Sequence, residues 1–278
     1  MGSALNYTVW KDDHRPILES LPGKEIMMLY SGGKDSSVVL HFIQLAGREF
    51  GFEFKTFAGV YPHHVFASSD REKLDDYWRR RGVAIAWQAL PESDDRLDEA
   101  PAEGVSPCLI CNTAKKKALI GHLKAEAVDM SALVVIMSYS LWDLVSASIE
   151  HTLTACFALP DALPAVQHKT TEARFLETSQ RFYPFLQFEG GFSVFKPLIR
   201  YNDQDILEVV ATEGIPLLST PCRHKDYRPK RLFARYYEKM NLKFDFEKVL
   251  DFARSAHHLP EERFFTRMGV DRYLKGAI

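Results

Sequence analysis

Residues 25–47 carry the feature that most narrows the fold. A short apolar run, Glu25 to Tyr30 (EIMMLY), lies between Gly23 and the turn Ser31-Gly32-Gly33. Ser36 to Gly47 follows, with apolar residues at Val38, Val39, Phe42, Ile43 and Leu45. The first run predicts a buried strand and the second an amphipathic helix. A strand that turns straight into a helix over two glycines is the opening unit of an open α/β sheet.

The same alternation continues along the chain. Phe54–Tyr61, Val83–Ala89, Leu133–Met137 and Phe192–Phe195 are further strand candidates, while Ser69–Arg81, Cys111–Lys124 and Leu144–Leu159 have helical spacing. Asp203–Gly214 reads as a helix with Asn202 as N-cap and Gly214 as its stop. Met1–Leu21 reads as a short leader with some helical character, Pro91–Pro107 as an acidic solvated loop, and Pro160–Gly191 as irregular. The expected fold is α/β: a parallel twisted sheet with helices on both faces and a helical C-terminal extension. The expected organisation is a main domain over residues 1–221, with 222–278 as a helical portion packed on it. There is no internal repeat and no low-complexity tract.

Bulk properties exclude some classes. No apolar run reaches the roughly 20 residues that span a bilayer, and the N-terminus lacks a signal-peptide pattern. The expectation is a cytoplasmic protein with no membrane partner. Thirty-five Lys and Arg against 37 acidic residues give a net charge of −2, without the basic surplus of a typical nucleic-acid binder. The surplus is local: Arg223, Lys225, Arg228, Lys230, Arg231 and Arg235 fall between Cys222 and Arg235, interleaved with His224, Tyr227 and Phe233.

Ligands of open α/β sheets bind at the carboxyl ends of the strands, where the Ser31–Ser37 turn falls. Gly32 and Gly33 let the backbone approach phosphates, and the following helix start presents N–H groups. Ser31, Ser36 and Ser37 add hydroxyls, Lys34 a cation, and Asp35 a carboxylate placed to help hold magnesium. The spacing fits neither the Walker loop nor the dinucleotide fingerprint. Ser31-Gly32-Gly33-Lys34-Asp35-Ser36 resembles the Ser-Gly-Gly-x-Asp-Ser signature of the PP-loop ATP pyrophosphatases. That resemblance implies binding of ATP with Mg2+ and cleavage between its α and β phosphates.

Four cysteines, Cys108, Cys111, Cys156 and Cys222, do not suggest a disulfide framework in a chain of this kind. Cys108 and Cys111 open a helix in Cys-x-x-Cys spacing, and Cys222 follows Thr220-Pro221. Three thiolates suit an iron–sulfur cluster with one open iron. A redox dithiol pair, zinc and inert core thiols are the alternatives. The order of phosphate loop, Cys-x-x-Cys, strand and helix, Phe195-Lys196-Pro197-Leu198, Asn202-Asp203-Gln204-Asp205-Ile206 and Pro221-Cys222 is similar to the iron–sulfur tRNA thiolases, the 2-thiocytidine/2-thiouridine synthetase group. The likeness runs from about Glu25 to Arg235. It implies a 4Fe-4S cluster on Cys108, Cys111 and Cys222, a catalytic lysine at Lys115 and a catalytic or metal-binding aspartate at Asp143, beside Asp35. Cys156 has no counterpart and reads as a core residue.

The chain departs from that group in three ways. Ser138-Tyr139-Ser140-Leu141-Trp142-Asp143 replaces Gly-His-x-x-Asp-Asp and keeps only the final aspartate, no zinc modules are visible, and the charge is less basic. His63-His64 read as loop histidines near the nucleotide's end of the sheet, His257-His258 as surface residues, and Trp142 as either a stacking or a core residue. The implied reaction adenylates a carbonyl oxygen of a nucleobase, with Lys34 and Lys115 stabilising phosphate charge, releases pyrophosphate, and puts sulfur in place of oxygen. Expected partners are a nucleobase-containing substrate, tRNA by family default or a small purine or other metabolite, and a sulfur donor such as a cysteine desulfurase or free sulfide. DNA phosphorothioation is a third acceptor, a homodimer is compatible with the sequence, and a cluster-binding, ATP-regulated redox or sensor protein is the non-enzymatic reading.

Overall fold

The computed structural model describes residues 5–60, 68–90, 93–157, 175–176, 178–218, 222–227, 229–270 and 273. Its strands are β1 (Glu25–Leu29), β2 (Lys55–Val60), β3 (Trp87–Ala89), β4 (Leu133–Ile136), β5 (Phe185–Gln187) and β6 (Ser193–Phe195). They form one sheet in the order β3-β2-β1-β4-β6-β5. All neighbours pair in parallel except β5, which runs antiparallel to β6 at the edge. The helices used below are α1 (Tyr7–Leu18), α2 (Lys34–Phe50), α3 (Ser68–Arg79), α4 (Asp95–Glu99), α5 (Pro107–Ala125), α6 (Leu141–Thr152), α7 (Asp203–Thr212), α8 (Pro229–Lys239), α9 (Phe246–His257) and α10 (Glu262–Thr266).

Alternation along the central strands divides the core into two layers. On one face Ile26, Met28, Val134, Ile136 and Phe195 pack with Trp10, Val39, Phe42, Trp78 and Ile206, drawn from α1, α2, α3 and α7. On the other, Met27, Leu133, Val135 and Val194 pack with Leu119, Leu144, Leu250 and Phe265 from α5, α6, α9 and α10. Both faces are covered, which explains why β1 and β4 read as continuous apolar runs rather than alternating ones. The α/β sheet with helices on both faces is therefore as expected. Of the helices beyond residue 222, α9 and α10 share the second core layer.

Three local features differ from expectation. Residues 7–18 form a full helix: Asn6 caps it by accepting from Val9 N–H at 3.0 Å, and Trp10, His14 and Leu18 are buried. Trp10 Nε1 donates to Pro197 O at 3.1 Å and His14 Nε2 lies 2.8 Å from the same oxygen, so α1 clasps the Lys196-Pro197-Leu198 segment. The region read as irregular contributes the antiparallel edge strand β5, and the acidic loop at 91–107 includes the short helix α4, anchored by buried Leu97. In both places tertiary contacts supplied the order that sequence periodicity lacked.

Candidate functional site

The chain builds outward from β1 through β2 to β3, then returns across β1 to β4. The strand order thus reverses between β1 and β4, where an α/β sheet opens a crevice at its carboxyl edge. The Ser31–Ser37 loop leaves β1 there, and Ser140 and Asp143 leave β4 beside it.

Within the loop, Gly32 adopts φ +72, which an L side chain tolerates poorly. A Cβ on Gly32 would lie 2.4 Å from Leu218 Cδ1, and Leu218 N–H donates to Gly32 O at 3.0 Å. Gly32 is required both by its turn and by the segment lying over it. Ser31 Oγ and Ser36 Oγ are 3.0 Å apart, and Ser36 Oγ donates to Gly33 O at 3.0 Å, so these hydroxyls brace the loop. The Ser37 hydroxyl is in the core, 3.4 Å from the Tyr30 hydroxyl, which accepts from Trp78 Nε1 at 3.0 Å. Gly33 caps α2 without a side-chain bond, leaving the first-turn N–H groups for an anion or water.

Around this loop runs a ring of ion pairs. Lys34 Nζ donates to Asp35 Oδ1 at 2.6 Å and lies 2.9 Å from Asp203 Oδ2. Lys230 Nζ donates to Asp143 Oδ2 at 2.8 Å and lies 3.8 Å from Asp35 Oδ2. Ser140 Oγ joins the halves, 2.9 Å from Asp203 Oδ1 and 3.2 Å from Asp143 Oδ2, its one proton serving either. Asp143 stands in the first turn of α6, where its Oδ2 also accepts from Ser140 N–H at 2.8 Å. Trp142 Nε1 donates to Lys230 O at 3.2 Å and its ring stacks on Phe244, which assigns Trp142 to packing and fixes the start of α8.

The electrostatics follow from this geometry. Burial raises the Asp35 pKa, against the lowering by Lys34 and Lys230. Burial acts upward on Asp143 too, but Lys230 and the Ser140 N–H prevail and hold it below the usual carboxylate range, with Arg181 adding to the effect. Burial opposes charge on Lys230, and Asp143, Asp35 and Asp203 outweigh it, so Lys230 is held protonated more firmly than a free lysine. Three carboxyl groups share two ammonium groups in the ring, and Arg181 acts on Asp143 from beside it.

Of the residues singled out in the sequence, Ser31, Gly32, Gly33, Lys34, Asp35, Ser36 and Asp143 meet at this crevice. Lys115, on α5, lies with its Cγ 3.4 Å from where a Cβ on Gly59 would be, near the carboxyl end of β2. It has no described contact with the ring. The part-buried thiols Cys108 and Cys111 sit on the first turns of α5. Cys111 packs against the cluster of Leu90, Leu97 and Ala114, which seats α4 on α5. Arg223 and His224 reach Asp98 of α4 at 2.7 and 3.3 Å, drawing the residues beside Cys222 toward that same seam. Cys222 is also four residues from Leu218, within about 14 Å of it by chain length alone.

Two residues of the ring escaped the sequence reading as site members. Asp203 appeared only as part of a matched stretch, and its position as the first residue of α7 after β6 was the available signal. Lys230 was grouped with the basic run, although its ammonium points into the acidic crevice; no local pattern distinguishes it from exposed Arg231. His63, His64, Pro221 and Arg228 are outside the described residues, as is the Cys156 side chain. His257 is buried and stacks edge-on against His151, not on the surface.

Among the described residues, no three His, Cys, Asp or Glu side chains are grouped to hold a metal ion. For magnesium the reason is visible: ammonium groups already occupy the carboxylates that would bind it, so the ring does not fit a resident divalent ion. The three thiols fit a cluster by donor chemistry, and they are not closed around one point.

No protein-family profile matches the chain, and no curated protein matches it. Among solved structures, the U34-tRNA thiolase NcsA from Methanococcus maripaludis, with its 4Fe-4S cluster, superposes with a TM-score of 0.57 at 14% identity. The match covers 92% of this chain and 81% of NcsA. This chain shares the α/β fold of that thiolase. NMN synthetase from Francisella tularensis (TM-score 0.44, 12% identity, 98% of this chain and 91% of that one) and NAD+ synthetase from Burkholderia pseudomallei (0.42, 15%, 99% and 87%) overlap too loosely to carry an argument. No helix among the described residues is long and apolar enough to cross a membrane.

Proposed function

We propose that the chain is an enzyme that takes MgATP as substrate, transfers AMP to a carbonyl oxygen of its acceptor and releases pyrophosphate. The observation that carries this reading is the meeting of Lys34, Asp35, Asp143, Asp203 and Lys230 at the phosphate loop, at the strand-order reversal of the sheet. The α2 N–H groups and the Gly32-Gly33 backbone receive the phosphates. Lys34 and Lys230 exchange carboxylate partners for phosphate oxygens when the nucleotide binds and stabilise the charge that develops on the leaving pyrophosphate. Lys115, beside Gly59 near the carboxyl end of β2, would act on the acceptor side. The Leu218 segment covers Gly32 and leaves Ser31 and Gly33 open to the nucleotide.

The acceptor we favour is a nucleobase whose carbonyl oxygen is exchanged for sulfur. Cys108, Cys111 and Cys222 would hold a 4Fe-4S cluster whose open iron would bind hydrosulfide as the sulfur source, the activated oxygen departing with AMP. The chain's own part is to bring Cys222 to α5 through the Asp98 ion pairs and to present the activated carbon at the same edge. The likeness to NcsA and the Cys-x-x-Cys pair at the start of α5 support this reading. A tRNA base is the first acceptor to test. The net charge of −2 favours a small purine or another metabolite as the alternative.

The test is anaerobic purification with iron and sulfide assays, then ATP and sulfide with nucleosides, tRNA and purines as acceptors. Acceptor-dependent pyrophosphate release and a mass gain consistent with oxygen-to-sulfur exchange are expected. Pyrophosphate release without sulfur incorporation would leave only the adenylating reading. ATP binding without turnover would defeat both in favour of a sensor. Cys222→Ala that retains full iron and product yield would refute the three-thiol arrangement.

A further inference from the structure

The carboxylates at this crevice present an arrangement that a metal site would not. Lys230 Nζ stands between Asp143 Oδ2 at 2.8 Å and Asp35 Oδ2 at 3.8 Å, where a bridging divalent ion would have to sit. It comes from α8, outside the sheet, and its carbonyl is pinned by Trp142 Nε1 at 3.2 Å. The groups facing it are Asp143, Asp35, Asp203 and the Ser140 hydroxyl, whose Oγ lies 3.3 Å from Nζ. The remaining Asp35 oxygen is held by Lys34 at 2.6 Å, and Asp203 by Lys34 and Ser140. Asp143 Oδ2 thus accepts from Lys230 and the Ser140 N–H, with the Ser140 hydroxyl shared between it and Asp203, and Asp35 has an ammonium at each oxygen. A hard cation such as Mg2+ or Mn2+ needs oxygen ligands around it, and here it would have to expel an ammonium first.

We propose that Lys230 is the resident cation of the Asp35–Asp143 pair, so that this crevice takes up a divalent metal only together with a polyphosphate that draws Lys230 away. The inference rests on the reading that the crevice receives a nucleotide triphosphate. A polyphosphate offers Lys230 and Lys34 new anionic partners, and the vacated carboxylates then face the metal that the nucleotide carries. Metal and nucleotide binding become mutually dependent, and the dependence is reciprocal by linkage. Lys230 thereby couples α8 to the loading of the site.

Mn2+ binding to the full chain, followed by electron paramagnetic resonance with and without a non-hydrolysable α,β-methylene ATP analogue, tests this. Without nucleotide, wild type should bind Mn2+ weakly, and Lys230→Met at least tenfold more tightly. The gain should vanish in the double variant Lys230→Met/Asp143→Asn, and Lys230→Arg should behave as wild type. The analogue should tighten Mn2+ binding far more in wild type than in Lys230→Met. Equal Mn2+ affinity of wild type and Lys230→Met, or a gain that survives Asp143→Asn, would overturn the proposal. If circular dichroism shows Lys230→Met unfolded, Lys230→Gln carries the same comparison. Failure of wild type to bind the analogue would defeat the nucleotide reading, while the nucleotide-free comparison still decides whether Lys230 blocks the metal.

Discussion

Gly32→Ala tests the phosphate loop at its tightest point. A methyl at this position meets Leu218 Cδ1 at 2.4 Å and Cγ at 2.5 Å, while Leu218 Cβ at 3.4 Å is already at ordinary contact. Two costs arise. The φ of +72 charges a non-glycine residue about 1–2 kcal/mol. Displacing a branched side chain by about an ångström adds about 1–3 kcal/mol of overpacking. The expected loss for Gly32→Ala is therefore about 2–5 kcal/mol. The second cost disappears if Leu218 is truncated, because the clashing Cγ and Cδ1 are removed. The Leu218 N–H bond to Gly32 O at 3.0 Å is made by the main chain and survives in both variants. Urea unfolding of wild type, Gly32→Ala, Leu218→Ala and the double variant gives the coupling from the midpoints at constant m. A favourable coupling of at least about 1 kcal/mol is expected. Additivity within about 0.5 kcal/mol would show that Leu218 does not rest on Gly32, and the reasoning about the covered loop would fail.

Other predictions follow from buried groups elsewhere. Lys196 is fully buried, with Gln180 Oε1 at 3.4 Å, and burial followed by repulsion from Arg181 lowers its pKa to about 7 from 10.5. Between those values the unfolded chain binds a proton that the folded chain refuses, so this group makes stability rise with pH. The advantage of Lys196→Met over wild type should shrink by an amount of the order of 4 kcal/mol from pH 7 to 10.5, read by urea unfolding; an unchanged difference would refute it. His14, lowered by burial to about 4 from 6.5, is the acid counterpart: stability falls as pH drops through that window, and His14→Gln should remove about 3 kcal/mol of the loss. Lys34→Met should abolish binding of the ATP analogue in calorimetry while leaving the fold intact by circular dichroism. Asp98→Ala should loosen the residue 222–224 segment, raising the maleimide labelling rate of Cys222 several-fold by mass spectrometry; an unchanged rate would show that Asp98 does not hold it.

The sequence by itself determined the sheet's central strands and the phosphate loop. Buried strands need uninterrupted apolar residues, as in EIMMLY and LVVIM, and a Gly-Gly turn into a helix leaves few other conformations. These are local requirements, written in consecutive residues. What the tertiary structure decided is which distant charges meet. Asp143, Asp203 and Lys230 belong to three helices whose starts converge only because the strand order reverses between β1 and β4 and β6 pairs alongside. The α1 helix and the edge strand β5 were equally hidden, since their order comes from contacts such as Trp10 with Pro197 and β5 with β6. A lysine in a basic run carries no local mark of facing inward. Only the packing of α8 against α6 turned Lys230 from a surface charge into the cation at the centre of the site.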